Sequence, residues 1–416
     1  MPLGAVPAAA HVRRRPVRVP LLLLLPGLLL GLLLPCGALA RAPAAWAEMP
    51  GALQPAPVPA GGAAVQPLRP RPAAPPQAPV PAAVGRVAAP ARVLPGLPGG
   101  RRGPVEVRDE WLLAQPRLTL PALSPDPLGR GRWRARVAVN RGNDFGWAQT
   151  QAGELPEGGD RRFLVDGEHQ TTEASLRYGL CSTLDVAVRV PLHWRGGGFM
   201  DSFIDTFHEA FAWAGFLDND RPAFDLDRHR IEGRDDAGVP FSWSEETGVG
   251  LGRVELATHW AFAGAQPGAA RTFALVGRLT LPTASGPFEA EGLEAGLQAL
   301  CALRLRRNLD LYVGVGGTWF GEPGLGGVTY ERTRAMGFVA LEWRPAATWS
   351  LLVEVNGASR LVTSIALYPA LQTYVNLAAR VDLGRCWQWE VGCTENITDQ
   401  QATTDFGAFT GLVARF

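Results

Sequence analysis

From Arg130 to Phe416 the chain alternates apolar and polar side chains in twelve runs. Successive side chains of an extended strand point to opposite faces, so each run has one apolar edge and one polar edge. In the first, Trp133, Ala135, Val137 and Val139 oppose Arg132, Arg134, Arg136 and Ala138. In the third, Leu184, Val186, Val188, Val190 and Leu192 oppose Asp185 and Arg189. In the tenth, Leu371, Thr373, Val375, Leu377, Ala379 and Val381 oppose Gln372, Asn376, Arg380 and Asp382. Only the eighth, around Arg334 to Trp343, has an ambiguous phase.

A soluble sandwich also alternates, but three features favour a membrane barrel. Charges are nearly absent from the apolar edges and frequent on the polar ones. Runs of roughly nine to eleven residues match a tilted membrane strand. Trp133, Trp260, Phe273, Trp343, Trp349, Trp387 and Phe416 cluster at one end of their runs, where an interfacial aromatic belt sits. Connections alternate too: short turns such as Cys181-Ser182-Thr183 follow even-numbered runs, and longer polar loops follow odd ones. That pattern predicts an all-β fold, an antiparallel transmembrane β-barrel of about twelve strands over residues 105–416, with a long helical loop at 195–246. The last run places Ala414, Leu412, Thr410, Ala408 and Phe406 on the edge of Phe416. A terminal aromatic on such a strand resembles the C-terminal signature of outer-membrane barrels, which implies the barrel-assembly machinery as a partner beside outer-membrane lipid.

The N-terminus reads as a signal peptide over residues 1–40. Arg13, Arg14, Arg15 and Arg18 precede a Leu-rich run from Val19 to Leu34, and Ala38-Leu39-Ala40 offers small residues for cleavage. The run is broken by Pro26 and Gly27 and falls short of the roughly 20 residues of a spanning helix. Residues 41–104 form a Pro/Ala/Arg-rich linker with Glu48 as its one acid, a composition that cannot bury a core. It reads as a disordered spacer or a tether that touches the cell wall.

Net charge is +1, which gives no reason to expect nucleic acid as a partner. All forty basic residues are arginine, consistent with codon bias, so arginine content alone signals no binding. Cys386 and Cys393 share one run and stand roughly 23 Å apart if extended, beyond disulfide reach. No cofactor motif, catalytic set or metal spacing stands out, and no enzymatic activity is expected.

The lumen edges carry Arg132, Arg134, Arg136, Glu173, Arg177, Arg189, Arg253, Glu255, Arg278, Arg304, Glu354, Arg380 and Glu390. Arginine outnumbers carboxylate in that set. It forms either a constriction that prefers anionic solutes or a neutralised network that braces a narrow barrel. In the long loop, Met200, Phe203, Ile204, Phe207 and Phe211 recur at helical spacing, with Asp201, Asp205, His208 and Glu209 opposite. This amphipathic helix would enter the mouth as a plug, rest on the outer leaflet or pack on neighbouring loops. His208 with Asp205 or Asp201 is a weak metal or acid/base pair.

Gln115-Pro116-Arg117-Leu118, Asn140-Arg141-Gly142-Asn143-Asp144-Phe145, Asp166-Gly167-Glu168, the Phe203 to Phe211 block and Leu279-Thr280-Leu281-Pro282-Thr283 together resemble the domain-of-unknown-function 3187 family of Gram-negative bacteria. The resemblance spans about residues 105 to 416 and implies an outer-membrane barrel. It brings no established activity, cofactor or catalytic residue. The expected role is therefore a passive channel or small-solute transporter. The alternative is a structural or interaction barrel with a blocked lumen, and an outer-membrane hydrolase comes third.

Overall fold

The computed structural model describes residues 101–149, 161–202, 204, 226–266, 268–365, 371–396 and 403–416. The proposed signal peptide and all but the last four residues of the proposed linker lie outside them.

Twelve antiparallel strands close into a barrel. They are β1 (Trp133–Gln149), β2 (Arg161–Gly179), β3 (Leu184–Gly196), β4 (Glu255–Ala263), β5 (Arg271–Thr280) and β6 (Glu294–Arg306). The second half comprises β7 (Leu309–Phe320), β8 (Thr333–Ala346), β9 (Trp349–Ser359), β10 (Leu371–Leu383), β11 (Trp387–Asn396) and β12 (Phe406–Arg415). Each strand pairs with its sequence neighbour, and β1 pairs with β12 from Arg134 against Arg415 to Asn143 against Phe406. The seam ends in a reciprocal pair: Trp133 N–H donates to the Phe416 carbonyl at 2.7 Å and Phe416 N–H to the Trp133 carbonyl at 3.1 Å. Closure leaves no unpaired edge for lipid to solvate.

The apolar edges point outward. Val137, Val190, Leu297, Val315, Val339, Val353 and Leu377 are exposed, while Arg136, Glu173, Glu354, Arg380 and Glu390 are buried inside. The ambiguous β8 resolves with Val339, Leu341 and Trp343 outward and Arg334, Met336, Phe338, Ala340, Glu342 and Arg344 inward. Trp133, Trp343, Trp387 and Phe416 stay exposed beside the short turns, and the three indoles pair an apolar body with an N–H edge, as suits a headgroup boundary.

Residues 101–128 form no strand. They run as a strap up through the lumen, turn, and return to β1. Arg102 donates to the Ala347 carbonyl in the β8–β9 turn at 2.6 Å and to Asp382 at 2.5 Å, which fixes the start at the short-turn rim. The returning leg reaches the same rim, where Leu128 N–H meets Asp185 at 3.0 Å. Between them, one helical turn at Trp111 to Arg117 closes through Gln115 N–H to the Trp111 carbonyl at 2.9 Å.

The barrel's core is therefore the strap against the inner wall. Val105 and Val107 of the rising leg pack with Leu352, Ala378 and Phe409. Ala122 and Leu123 of the falling leg meet Ala274, Val276, Leu300, Tyr312 and Phe338. Leu120 approaches the wall at Gly316, where an added Cβ would stand 2.9 Å from Leu120 Cδ1 and 2.4 Å from the Leu297 carbonyl oxygen. A side chain at 316 would collide with the β6 backbone and crowd Leu120 of the strap.

At the long-loop rim the strap's tip enters a second core. Trp111, Leu112, Leu113 and Leu118 pack with Phe163 and Val165 of β2, Phe320 of β7, and Ile231, Phe241, Trp243, Tyr330, Val362 and Ile365 from the loops. The β3–β4 connection supplies part of this cap as a small sheet: Arg230–Arg234 pairs with the top of β2, and Pro240–Ser242 pairs with Arg230–Arg234. Strand periodicity in the loop was too short to announce this.

Candidate functional site

The candidate site is the lumen wall together with the strap. Arginines and carboxylates alternate in a belt that runs from β10 round to β5. Starting at β10, Arg380 Nε donates to Glu390 of β11 at 3.0 Å, and Arg136 Nε of β1 donates to the same carboxylate at 3.1 Å. Arg136 also pairs with Glu173 of β2, which accepts from Arg189 of β3 at 2.5 Å. Arg189 reaches Glu255 of β4 at 2.8 Å, and Arg278 of β5 closes on Glu255 at 3.1 Å. Strand pairing alone sets these neighbours: Arg380 lies opposite Glu390, and Arg189 opposite Glu255, in the sheet register. Such pairs offset the cost of removing each charge from water more than they add stability.

The strap completes the belt. Glu106 meets Arg134 at 2.9 Å, Arg108 meets Glu255 at 2.7 Å, and Asp109 meets Arg334 at 2.7 Å. Its backbone is held as well. Leu112 N–H donates to Asp144 at 2.5 Å, Leu118 N–H to Glu294 at 2.5 Å, and Arg380 to the Pro104 carbonyl at 2.5 Å.

The remaining sequence-predicted residues are placed as follows. Arg132 stands one residue before β1, its N–H on the Gly129 carbonyl. Arg177 pairs with Asp185 at 2.5 Å, and Arg304 with Asp310 at 3.2 Å, both near the short-turn rim. Arg253 precedes β4 and donates to the Glu291 and Gly292 carbonyls at 2.7 Å each. Glu354 accepts from Asn356 at 2.9 Å and Asn376 at 2.8 Å.

Sequence reasoning omitted half of the electrostatics. Asp144, Asp185, Glu294, Asp310, Glu342 and Asp382 are also on the inner side, and they answer the arginine surplus. His169, whose Nε2 lies 3.2 Å from Asp144, and His193, whose Nδ1 lies 2.9 Å from the Thr171 hydroxyl, are on the inner side too. The signal was present, since most of these residues lie on polar edges. The strap acids carried no such signal.

Of the expected loop helix, Phe203, Asp205, Phe207, His208 and Phe211 lie outside the described residues. Its start is described, and it sits against the outside of the wall. Glu168 and Asn143 point outward from β2 and β1, and both are fully buried. Glu168 accepts the N–H groups of Phe199 and Met200, charge where a helix N-terminus has orphan donors. Asn143 donates to Asp201 at 2.7 Å, and Met200 and Ile204 are buried. Arg141, also outward, bonds Glu168 at 2.6 Å and lies 4.4 Å from the Phe199 ring. At its described start the segment covers a polar patch of the outer wall and takes no part in filling the mouth.

Among the described residues, three cavities between strap and wall measure about 20, 20 and 60 Å³. A water needs roughly 10–15 Å³ on this measure, so the two smaller cavities hold about one or two waters each and the largest about four. In this conformation none of them is a solute path.

The family model described as protein of unknown function (DUF3187) matches residues 100–416. The chain belongs to this family. The match takes in the strap as well as the strands. Solved structures similar to this family member are outer-membrane proteins. The COG4313 outer membrane channel from Pseudomonas putida F1 is 13% identical over 70% of this chain and 98% of its own, with a TM-score of 0.47. The Pseudomonas putida toluene transporter TodX is 10% identical over 68% and 88%, with a TM-score of 0.36. The KdgM porin is 8% identical over 68% and 99%, with a TM-score of 0.34. No curated protein matches the sequence.

Proposed function

We propose that this protein is a gated outer-membrane channel or transporter for small solutes, and that residues 101–128 are its gate. The observation that carries this reading is the strap's path: one continuous segment fills the lumen, and both its ends lie at the short-turn rim. That rim is periplasmic by the usual rule for barrels, so the strap can leave toward the periplasm without crossing the wall. The wall behind it carries the charged belt from β10 round to β5, as a hydrated passage does, beside an apolar patch of Ala274, Val276, Leu300, Tyr312 and Phe338 under the falling leg. The outward apolar band supports residence in lipid. Assembly through the strand ending in Phe416 and contact of residues 41–104 with the cell wall belong to the same reading.

Planar-bilayer recordings of refolded protein test it. The parent chain stays closed. A chain lacking residues 103–126, checked for folding by heat-modifiable gel mobility, conducts. A folded deletion variant without conductance would sink the gate. The apolar cap over Trp111 favours a second reading, a permanently blocked barrel that presents its loops, and that reading expects silence in both chains.

A further inference from the structure

The largest of the three cavities lies between the strap and β1 to β5, in the half nearer the short-turn rim. Its electrostatics differ from those of the rest of the belt. Glu255 is shared by three guanidiniums: Arg108 Nη2 at 2.7 Å, Arg189 Nη1 at 2.8 Å and Arg278 Nη1 at 3.1 Å. One carboxylate cannot neutralise three cations. Arg189 has a second acid in Glu173, but Glu173 is itself divided with Arg136. Among the described residues Arg278 pairs only with Glu255, its side chain is 8% exposed, and its Nε makes no hydrogen bond. A buried guanidinium offers five donors in a planar fork that matches a carboxylate, and here part of that fork is idle beside a cavity.

The other side of the same cavity is apolar, formed by Leu123 of the strap with Ala187 and Val276 of the wall. At about 60 Å³ it has room for roughly four waters or a molecule of that bulk. We infer that this cavity binds a small organic carboxylate, its head on Arg278 and Arg108 and its short apolar tail against Leu123 and Val276. The inference deepens the proposed transport function by naming a substrate class, and it rests on that reading for its place on a solute path. Binding itself occurs in the closed protein. Because Arg108 belongs to the strap, an occupant would contact gate and wall together.

Calorimetric titration of the refolded full chain in detergent with propionate, and separately with inorganic phosphate, tests the site without any transport. Saturable propionate binding that exceeds phosphate binding is expected. Arg278→Gln should weaken it at least tenfold, while Arg332→Gln, at an exposed residue of the opposite rim, leaves it unchanged. Glu255→Gln removes the competing carboxylate and should tighten propionate several-fold, which also guards against a misfolded Arg278 variant. Absence of saturable propionate binding, tighter binding of phosphate, or weaker propionate binding in Glu255→Gln would overturn the assignment. A chain that conducts without binding propionate loses only this inference. Propionate binding by the parent, beside a folded 103–126 deletion that never conducts, loses the gate instead.

Discussion

Arg334, on the inner side of β8, holds Asp109 of the strap at 2.7 Å, and its side chain is fully buried. Removing one partner leaves the other charged and out of water, which costs about 3–5 kcal/mol. Arg334→Gln should therefore loosen the strap far more than the barrel. Bilayer recordings should show intermittent openings absent from the parent, with unchanged heat-modifiable mobility. A variant as silent as the parent would mean that this pair does not hold the gate.

Trp111 anchors the strap's tip in the apolar cap at 1% exposure. Trp111→Ala leaves a cavity, with a cost of about 3–5 kcal/mol. The cap should open while the twelve strands stay paired. Limited proteolysis near Gly238 and Gly326 should speed up at least tenfold, against a barrel fragment that remains resistant.

Gly198 has φ +70°, and an added Cβ would lie 1.9 Å from the Glu168 carboxyl carbon. Gly198→Ala is strained in backbone by about 1–2 kcal/mol and also drives Glu168 off the N–H groups of Phe199 and Met200. The segment after Phe199 should detach from the outer wall. Cleavage by chymotrypsin at Phe199 would report it, and cleavage at the parent's rate would contradict the anchoring.

Burial and the nearby Arg195 guanidinium push the His229 imidazole down to about 4, so it stays neutral in the closed cap. An opened or unfolded cap returns it toward its ordinary 6.5. The released form then binds the extra proton between those values, and stability falls as pH drops through that window. Its contribution is complete above about 6.5. Protease susceptibility of the 226–251 segment should rise from pH 7 to pH 4.5, and His229→Gln should flatten that rise.

The twelve strands were legible because a two-sided wall imposes period two on every run, and the lipid side admits almost no charge. Val137 and Arg136 could be assigned to opposite faces from the pattern alone. The strap was not legible, since a segment enclosed on all sides needs no period. Val105, Val107 and Leu112 fall inside the stretch assigned to the barrel but ahead of the first alternating run, so no run claimed them. The arginine surplus was an artefact of counting wall edges without Asp185, Asp310 and Asp382, and without the strap's own acids. Which side of the wall the loop helix takes was written less plainly. After Val139 the outward edge of β1 turns to Arg141 and Asn143, and before Ala174 that of β2 carries Glu168 and Gln170. Such residues do not face lipid uncovered.

A strap that withdraws as proposed would take one partner each from Glu255, Glu294 and Asp382, and Arg134 and Arg334 would lose their strap carboxylates. The wall groups left short of a partner would then recruit mobile ions from solution. Conversion between the two forms is thus an ion-exchange reaction, and dissolved salt belongs in its equilibrium constant as a reactant.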